Sequence, residues 1–128
     1  IKLNVPKEAV PGRRIITIDD SIVRGTTSAL IVNMLRDAGA REVHVRISAP
    51  PFLHPCYFGT DIPSEDQLIA HGHTVEEIRD MIGADSLSYL KMERLQEMAC
   101  SRSICTACFS GKYPIEPPVE DIRGSYDK

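Results

Sequence analysis

Residues Arg13-Arg14-Ile15-Ile16-Thr17-Ile18-Asp19-Asp20-Ser21-Ile22-Val23-Arg24-Gly25-Thr26-Thr27-Ser28, RRIITIDDSIVRGTTS, decide how this chain is read. Arg13 to Asp19 is β-branched and nearly all apolar at its centre. Bounded by Pro11-Gly12, it is expected to be a buried strand of a parallel sheet. Two carboxylates end it, Gly25 permits a tight backbone, and three hydroxyl residues lead into TTSALIVNMLRDAGA. There Leu30, Ile31, Met34, Leu35 and Ala38 share one helical face, and Gly39 stands where a left-handed C-terminal cap belongs. EVHVRI (Glu42 to Ile47) alternates and is β-branched, which predicts a second strand. Strand, loop, helix and strand in this order make a right-handed βαβ unit.

Downstream, Pro50, Pro51, Pro55 and Pro63 exclude helix from SAPPFLHPCYFGTDIP. Ser64-Glu65-Asp66-Gln67 and Thr74-Val75-Glu76-Glu77 both have the spacing of a capping box, and Gly72 and Gly83 supply stops, so two short helices are expected. Ser86 to Leu90 reads as a last short strand and KMERLQEMAC as a last helix. Beyond Cys108 the polar, proline-bearing tail has little to bury and is expected to be irregular.

A length of 128 residues suits one domain. Fifteen basic and eighteen acidic residues give a net charge of -3, which argues against a nucleic-acid surface and against binding to an anionic membrane. No apolar run approaches the roughly 18 residues that span a bilayer, and no signal peptide is present. A first residue of Ile rather than Met leads us to expect a piece of a longer polypeptide. Without a secretory context the four cysteines favour a metal site or plain thiols, and the cytoplasm is the default compartment.

In a parallel α/β sheet, ligands bind beyond the carboxyl ends of the strands, where the opening stretch lies. Backbone N–H groups and the positive end of the helix dipole can hold a phosphate there. Carboxylates suit a ribose diol and Mg²⁺. One small molecule with a phosphate at one end, and a diol with metal-bound groups at the other, would use both surfaces. The plainer alternative is that Asp19-Asp20 merely end a strand and Thr27 caps a helix. The loop is neither a Walker A sequence nor a G-x-G-x-x-G turn.

IDDSIVRGTTS resembles the 5-phosphoribosyl-1-pyrophosphate (PRPP) motif of the type I phosphoribosyltransferases, and its SIVRGTTS continuation looks like the amidophosphoribosyltransferases in particular. LRDAGAREVHVRISAPP, HPCYFGTDIP, QLIAHGHTVEEIRDMIGAD and CTACFSGKYP are similar to the C-terminal part of the same family, from about Arg13 to Pro114. The resemblance implies an α/β fold: part of a type I phosphoribosyltransferase parallel sheet with flanking helices, then a short helical segment and an irregular cysteine-bearing tail. Residues 1–90 would belong to the phosphoribosyltransferase domain and 91–128 to the C-terminal helix and tail. The implied reaction makes 5-phosphoribosylamine from PRPP and glutamine-derived ammonia, the first committed step of purine synthesis.

Carried across, Asp19 and Asp20 would meet the ribose diol and Mg²⁺, and Ser21, Ile22, Val23, Arg24, Gly25, Thr26 and Thr27 would surround the 5′-phosphate. Arg24 reads equally as a phosphate ligand or a solvated arginine. The glutaminase domain with its cysteine nucleophile, the pyrophosphate loop and the lid would lie upstream of Ile1. The chain alone is therefore expected to be inactive, with no catalytic residue assigned in it. A homotetrameric parent is also implied.

Cys105-Thr106-Ala107-Cys108, with Cys100 and Cys56, could be a zinc half-site, a redox pair or unrelated thiols. The resemblance implies instead that Cys56, Cys105 and Cys108 supply three of the four thiolates of a [4Fe–4S] cluster, the fourth lying outside this chain. Cys100 has no assigned place; it is a helix-end thiol or a substitute ligand. His71-Gly72-His73 reads as solvent-exposed histidines rather than a metal pair. Two other classes fit parts of the sequence: a PRPP-binding regulatory homologue, for which no basic recognition helix is present, and a zinc-bound interaction module.

Overall fold

The computed structural model describes residues 8–62, 64–100 and 102–117. Three parallel strands, β1 (Arg14–Asp19), β2 (Glu42–Ile47) and β3 (Ser86–Tyr89), form a sheet in that order. Between β1 and β2 runs α1 (Thr26–Asp37). Between β2 and β3 come a 3₁₀ turn (Glu65–Gln67), α2 (Ile69–Gly72) and α3 (Val75–Ile82). After β3 follow α4 (Met92–Met98) and a helical turn, α5 (Ala107–Ser110).

The expected βαβ unit forms. Its helix ends as Gly39 foretells: Gly39 has φ 93°, its N–H donates to Arg36 O at 2.8 Å, and the Ala40 N–H reaches back to Leu35 O at 3.0 Å. That bond pair is a Schellman closure, and it satisfies carbonyls the helix leaves open. The buried face of α1 is centred on Ser28 and Val32, with Leu35 packed beside them, whereas Leu30 is exposed. The predicted apolar face is thus offset, because α1 lies against both β2 and α3. The core gathers Val32, Val43, Val45, Ile47, Ile78, Ile82 and Leu87, so α1 and α3 cover one face of the sheet.

β1 is not the buried strand its sequence predicts. Among the described residues it pairs only with β2, and Ile16 and Ile18 are 66% and 76% exposed. A strand's composition reports its affinity for a covered face, not whether a covering element is at hand.

Two further expectations are corrected. Ser64 makes no side-chain cap, and the segment after it is only a 3₁₀ turn, whereas Thr74 and Glu77 close a full capping box. The segment after Cys108 is irregular from Gly111 to Pro117, yet Tyr113 is half-buried there, its ring tilted against Tyr57 with centroids 5.3 Å apart and its hydroxyl donating to Pro55 O at 2.8 Å. The distal tail, 118–128, lies outside the described residues.

Candidate functional site

The stretch from Asp19 to Ser28 leaves the carboxyl end of β1, turns, and enters α1. All ten residues line one cavity of about 480 Å³, joined by Asp61 from the loop between β2 and the 3₁₀ turn. Every loop residue singled out from the sequence is therefore brought together. Asp61 is an addition that the sequence did not announce. No local pattern marks Asp61, since only the fold carries it to a loop some forty positions away.

The loop's shape follows from a few contacts. The Asp20 N–H donates to Asp19 Oδ1 at 2.8 Å, and the Ser21 hydroxyl donates to Asp20 Oδ1 at 3.0 Å. Ser48 N–H donates to Asp19 O at 2.9 Å, which fastens the end of β1 to the residue after β2. Ile22 is buried in the core at 2% exposure and anchors the loop there. The Val23 carbonyl accepts from Ile69 N–H at 2.9 Å. Gly25 takes φ 83°, a left-handed conformation that glycine adopts without penalty, and turns the chain into α1.

The start of α1 removes one part of the plainer reading, the helix cap. Its N-cap is Gly25, no side chain caps it, and no acidic residue stands in its first turn. Thr27 is not a cap. The first turn of this twelve-residue helix, with its N–H groups and the positive end of its dipole, meets the cavity through Thr26, Thr27 and Ser28. This arrangement attracts an anion, and the two hydroxyls of Thr26 and Thr27 add donors.

Asp19 and Asp20 line the same cavity. Among the described residues no group of three or more His, Cys, Asp or Glu converges on a metal position. Mg²⁺ is commonly held by one or two carboxylates together with substrate phosphates and water. The pair therefore suits an ion that arrives with a phosphorylated substrate better than a resident one.

The cysteines lie elsewhere. No disulfide joins them among the described residues. Backbone N–H groups of Leu53 and His54 donate to Cys108 O at 2.9 and 3.0 Å, so α5 is pinned to the loop that carries Cys56. Burial pushes the Cys108 thiol above its usual range, and the charges of Cys56 and Cys105 add to the effect. Burial also pushes Cys56 up, but hydrogen bonding to the backbone of Phe58, Thr60 and Gly59 and to the Thr60 side chain outweighs it and leaves that thiol lowered. Cys108 thus feels the charges of both Cys56 and Cys105, although among the described residues no three such ligands converge on a metal position. Cys100 is exposed, with φ 50°.

His71 and His73 are exposed, as expected: His71 Nδ1–H donates to Leu53 O at 2.9 Å and His73 Nδ1–H to Ile69 O at 3.0 Å.

No family model matches the chain. Individual proteins do. The chain is 53% identical over 127 residues to an amidophosphoribosyltransferase of Archaeoglobus fulgidus, a match covering 96% of this chain and 28% of that protein. It is 52% identical over 124 residues to the Bacillus subtilis amidophosphoribosyltransferase, covering 91% and 26% respectively. A solved structure of glutamine PRPP amidotransferase from B. subtilis, complexed with ADP and GMP, superimposes with a TM-score of 0.79 at 50% identity, over 89% of this chain and 26% of that one. The chain spans about a quarter of the length of the curated relatives it matches. With this identity and this shared fold, the chain belongs, as one segment, to the amidophosphoribosyltransferase family.

Proposed function

We propose that this chain is the PRPP-binding segment of an amidophosphoribosyltransferase, whose whole polypeptide makes 5-phosphoribosylamine from PRPP and glutamine-derived ammonia. One observation carries the reading. The uncapped start of α1 and the carboxylates of Asp19 and Asp20 face one cavity, so an anion site and a diol or cation site stand side by side. The 5′-phosphate lies against the N–H groups and hydroxyls of Thr26 and Thr27, with Arg24 at the rim. Asp19 and Asp20 accept hydrogen bonds from the ribose hydroxyls and hold Mg²⁺. When bound, Mg²⁺ neutralises charge on the departing pyrophosphate.

The attacking ammonia is already nucleophilic, so this loop needs no general base. Its task is to hold the ribose so that positive charge developing at the reacting carbon sits near the two carboxylates. The ammonia source is a glutaminase domain elsewhere in the whole protein, which we place in the cytoplasm as a homo-oligomer. The chain by itself binds without completing the transfer.

Cys56, Cys105 and Cys108 would hold a [4Fe–4S] cluster with a fourth ligand from outside the chain. The lowered Cys56 thiol and the charges of Cys56 and Cys105 felt by Cys108 support ligation there, while burial holds the Cys108 thiol up and a bound metal would have to offset it. Such a cluster would brace the tail against the Cys56 loop.

The test is calorimetric titration of the folded chain with PRPP in the presence of Mg²⁺, beside a variant carrying Asp19→Asn and Asp20→Asn. Saturable binding that the variant loses is the expected result. Equal binding by both proteins, or none by the folded wild type, overturns the assignment of this loop as a self-sufficient PRPP site.

A further inference from the structure

The second half of the phosphate loop rests on a short segment forty-odd residues downstream. Arg24 NH2 donates to Gln67 Oε1, Ile69 N–H donates to Val23 O at 2.9 Å, and Ile69 Cδ1 lies 2.8 Å from where a Cβ on Gly25 would stand. Three consecutive loop residues, 23 to 25, therefore rest on residues 67 to 69. Leu68, between the contacting residues, is buried at 3% exposure and anchors the segment.

That segment is in turn clasped from behind. Glu65 accepts from His54 Nδ1–H at 2.9 Å and has its other oxygen 3.6 Å from His71 Nε2. His71 Nδ1–H donates to Leu53 O at 2.9 Å, so one carboxylate and one imidazole tie the 3₁₀ turn and α2 to residues 53 and 54. Those residues are bonded to Cys108 O, and Gly111 lies so close to the His54 ring that a Cβ there would stand 2.9 Å from Nε2.

A long arginine at the rim of a phosphate cavity is otherwise free to sample many rotamers, and ordering it opposes binding. Gln67 supplies a neutral acceptor. It fixes the guanidinium without neutralising it, and leaves other N–H groups of the fork for an anion. We propose that Gln67 is a positioning residue for the phosphate loop, setting Arg24 at the rim, and that Glu65 holds the Gln67 turn in place through His54 and His71. This deepens the PRPP reading and rests on it for the identity of the ligand.

The test compares wild type with Gln67→Ala, Gln67→Glu and Glu65→Ala by two measurements on the 128-residue chain: calorimetric titration with PRPP and Mg²⁺, and amide hydrogen exchange across residues 21–27. Gln67→Ala is expected to weaken PRPP binding about threefold to tenfold, the loss of one hydrogen bond to a charged donor, and to speed loop exchange by a similar factor. Its melting temperature stays at the wild-type value, because its partner contact is exposed. Gln67→Glu, which keeps an acceptor oxygen, restores slow exchange, and Glu65→Ala shifts both readouts in the direction of Gln67→Ala.

Unchanged affinity and unchanged exchange in Gln67→Ala overturn the proposal. So does a Gln67→Glu protein as loose as Gln67→Ala, since the acceptor would then not be what matters. Failure of the folded wild type to bind PRPP removes the ligand assignment, while the exchange comparison still decides whether Gln67 holds the loop.

Discussion

The N–H of Ile69 donates to the carbonyl of Val23 at 2.9 Å, and this contact brings Ile69 Cδ1 to 2.8 Å from the point a Cβ on Gly25 would occupy. Helix α2 and the Asp19–Ser28 loop are thereby fitted closely at Gly25. Two physical demands meet at Gly25. Its φ of 83° lies in the left-handed region, and its outer face is closed by an isoleucine methyl.

Gly25→Ala is accordingly expected to lower stability by about 1–2 kcal/mol from backbone strain, with a smaller steric contribution. The Ile69 methyl is the flexible end of a side chain and can give way. Urea unfolding of Gly25→Ala in wild-type and Ile69→Val backgrounds separates the two, because Ile69→Val deletes the offending methyl. The glycine substitution should cost less in the second background. Equal costs in both would assign the whole effect to φ.

The sequence made the frame of the molecule legible where the signal was local. The period of β2, the Gly39 closure of α1 and the Thr74–Glu77 box each need only a few neighbouring residues. The site's loop was legible because its ten residues are contiguous. What escaped depends on distant partners. The exposure of Ile16 and Ile18 depends on what covers the sheet. Asp61 enters the cavity, Gln67 meets Arg24, and Tyr113 packs on Tyr57 only because the fold brings them there. Tyr113 also shows why a polar-looking tail can still be held: one aromatic ring with a hydroxyl finds both a ring to pack against and an acceptor.

The two capping-box spacings give a paired prediction. In α3 the Glu77 N–H donates to Thr74 Oγ1 at 3.2 Å and the Thr74 N–H to Glu77 Oε2 at 2.8 Å, whereas Ser64 makes no such bond. Thr74→Ala should cost about 1 kcal/mol of stability, a usual value for a lost N-cap. Ser64→Ala should fall within roughly 0.5 kcal/mol of wild type, as exposed substitutions do. Denaturant midpoints measured side by side check this, and equal losses would contradict the geometry.

Tyr89 ends β3 with its hydroxyl buried and, among the described residues, without a hydrogen-bond partner. Burial pushes its ionisation up to about 12. Removing an unsatisfied buried hydroxyl relieves a desolvation cost, so Tyr89→Phe should be neutral or stabilising by up to about 1 kcal/mol. Because the folded value is raised above that of the unfolded chain, the associated stability is full below about pH 10 and is lost as pH climbs towards the folded value. Alkaline spectrophotometric titration should show a late tyrosine that vanishes in the variant, together with a shallower decline of stability above pH 10.

Asp85 links the strand layer to α1. Its carboxylate accepts from Val43 N–H at 2.7 Å and from Arg36 NH2 at 3.0 Å, while the Arg36 guanidinium also donates to Gly83 O. The Val43 hydrogen bond holds its ionisation below the usual aspartate range, burial opposes this, and Arg36 reinforces it. A lowered folded value means stability that is present above the unfolded value, about 3.9, and is lost as pH falls through the lower folded one. Asp85→Asn abolishes the titration and weakens the pairing with Arg36, so the variant should be less stable than wild type at neutral pH. The two stability curves should converge on acidification below about pH 4, the range in which the wild-type carboxylate takes up its proton. Solvent screens a group this exposed, so the gap is expected to be modest. Urea midpoints between neutral pH and pH 3 decide the matter. Curves that stay parallel would show that Asp85 acts through the shape of its hydrogen bonds and not through its charge.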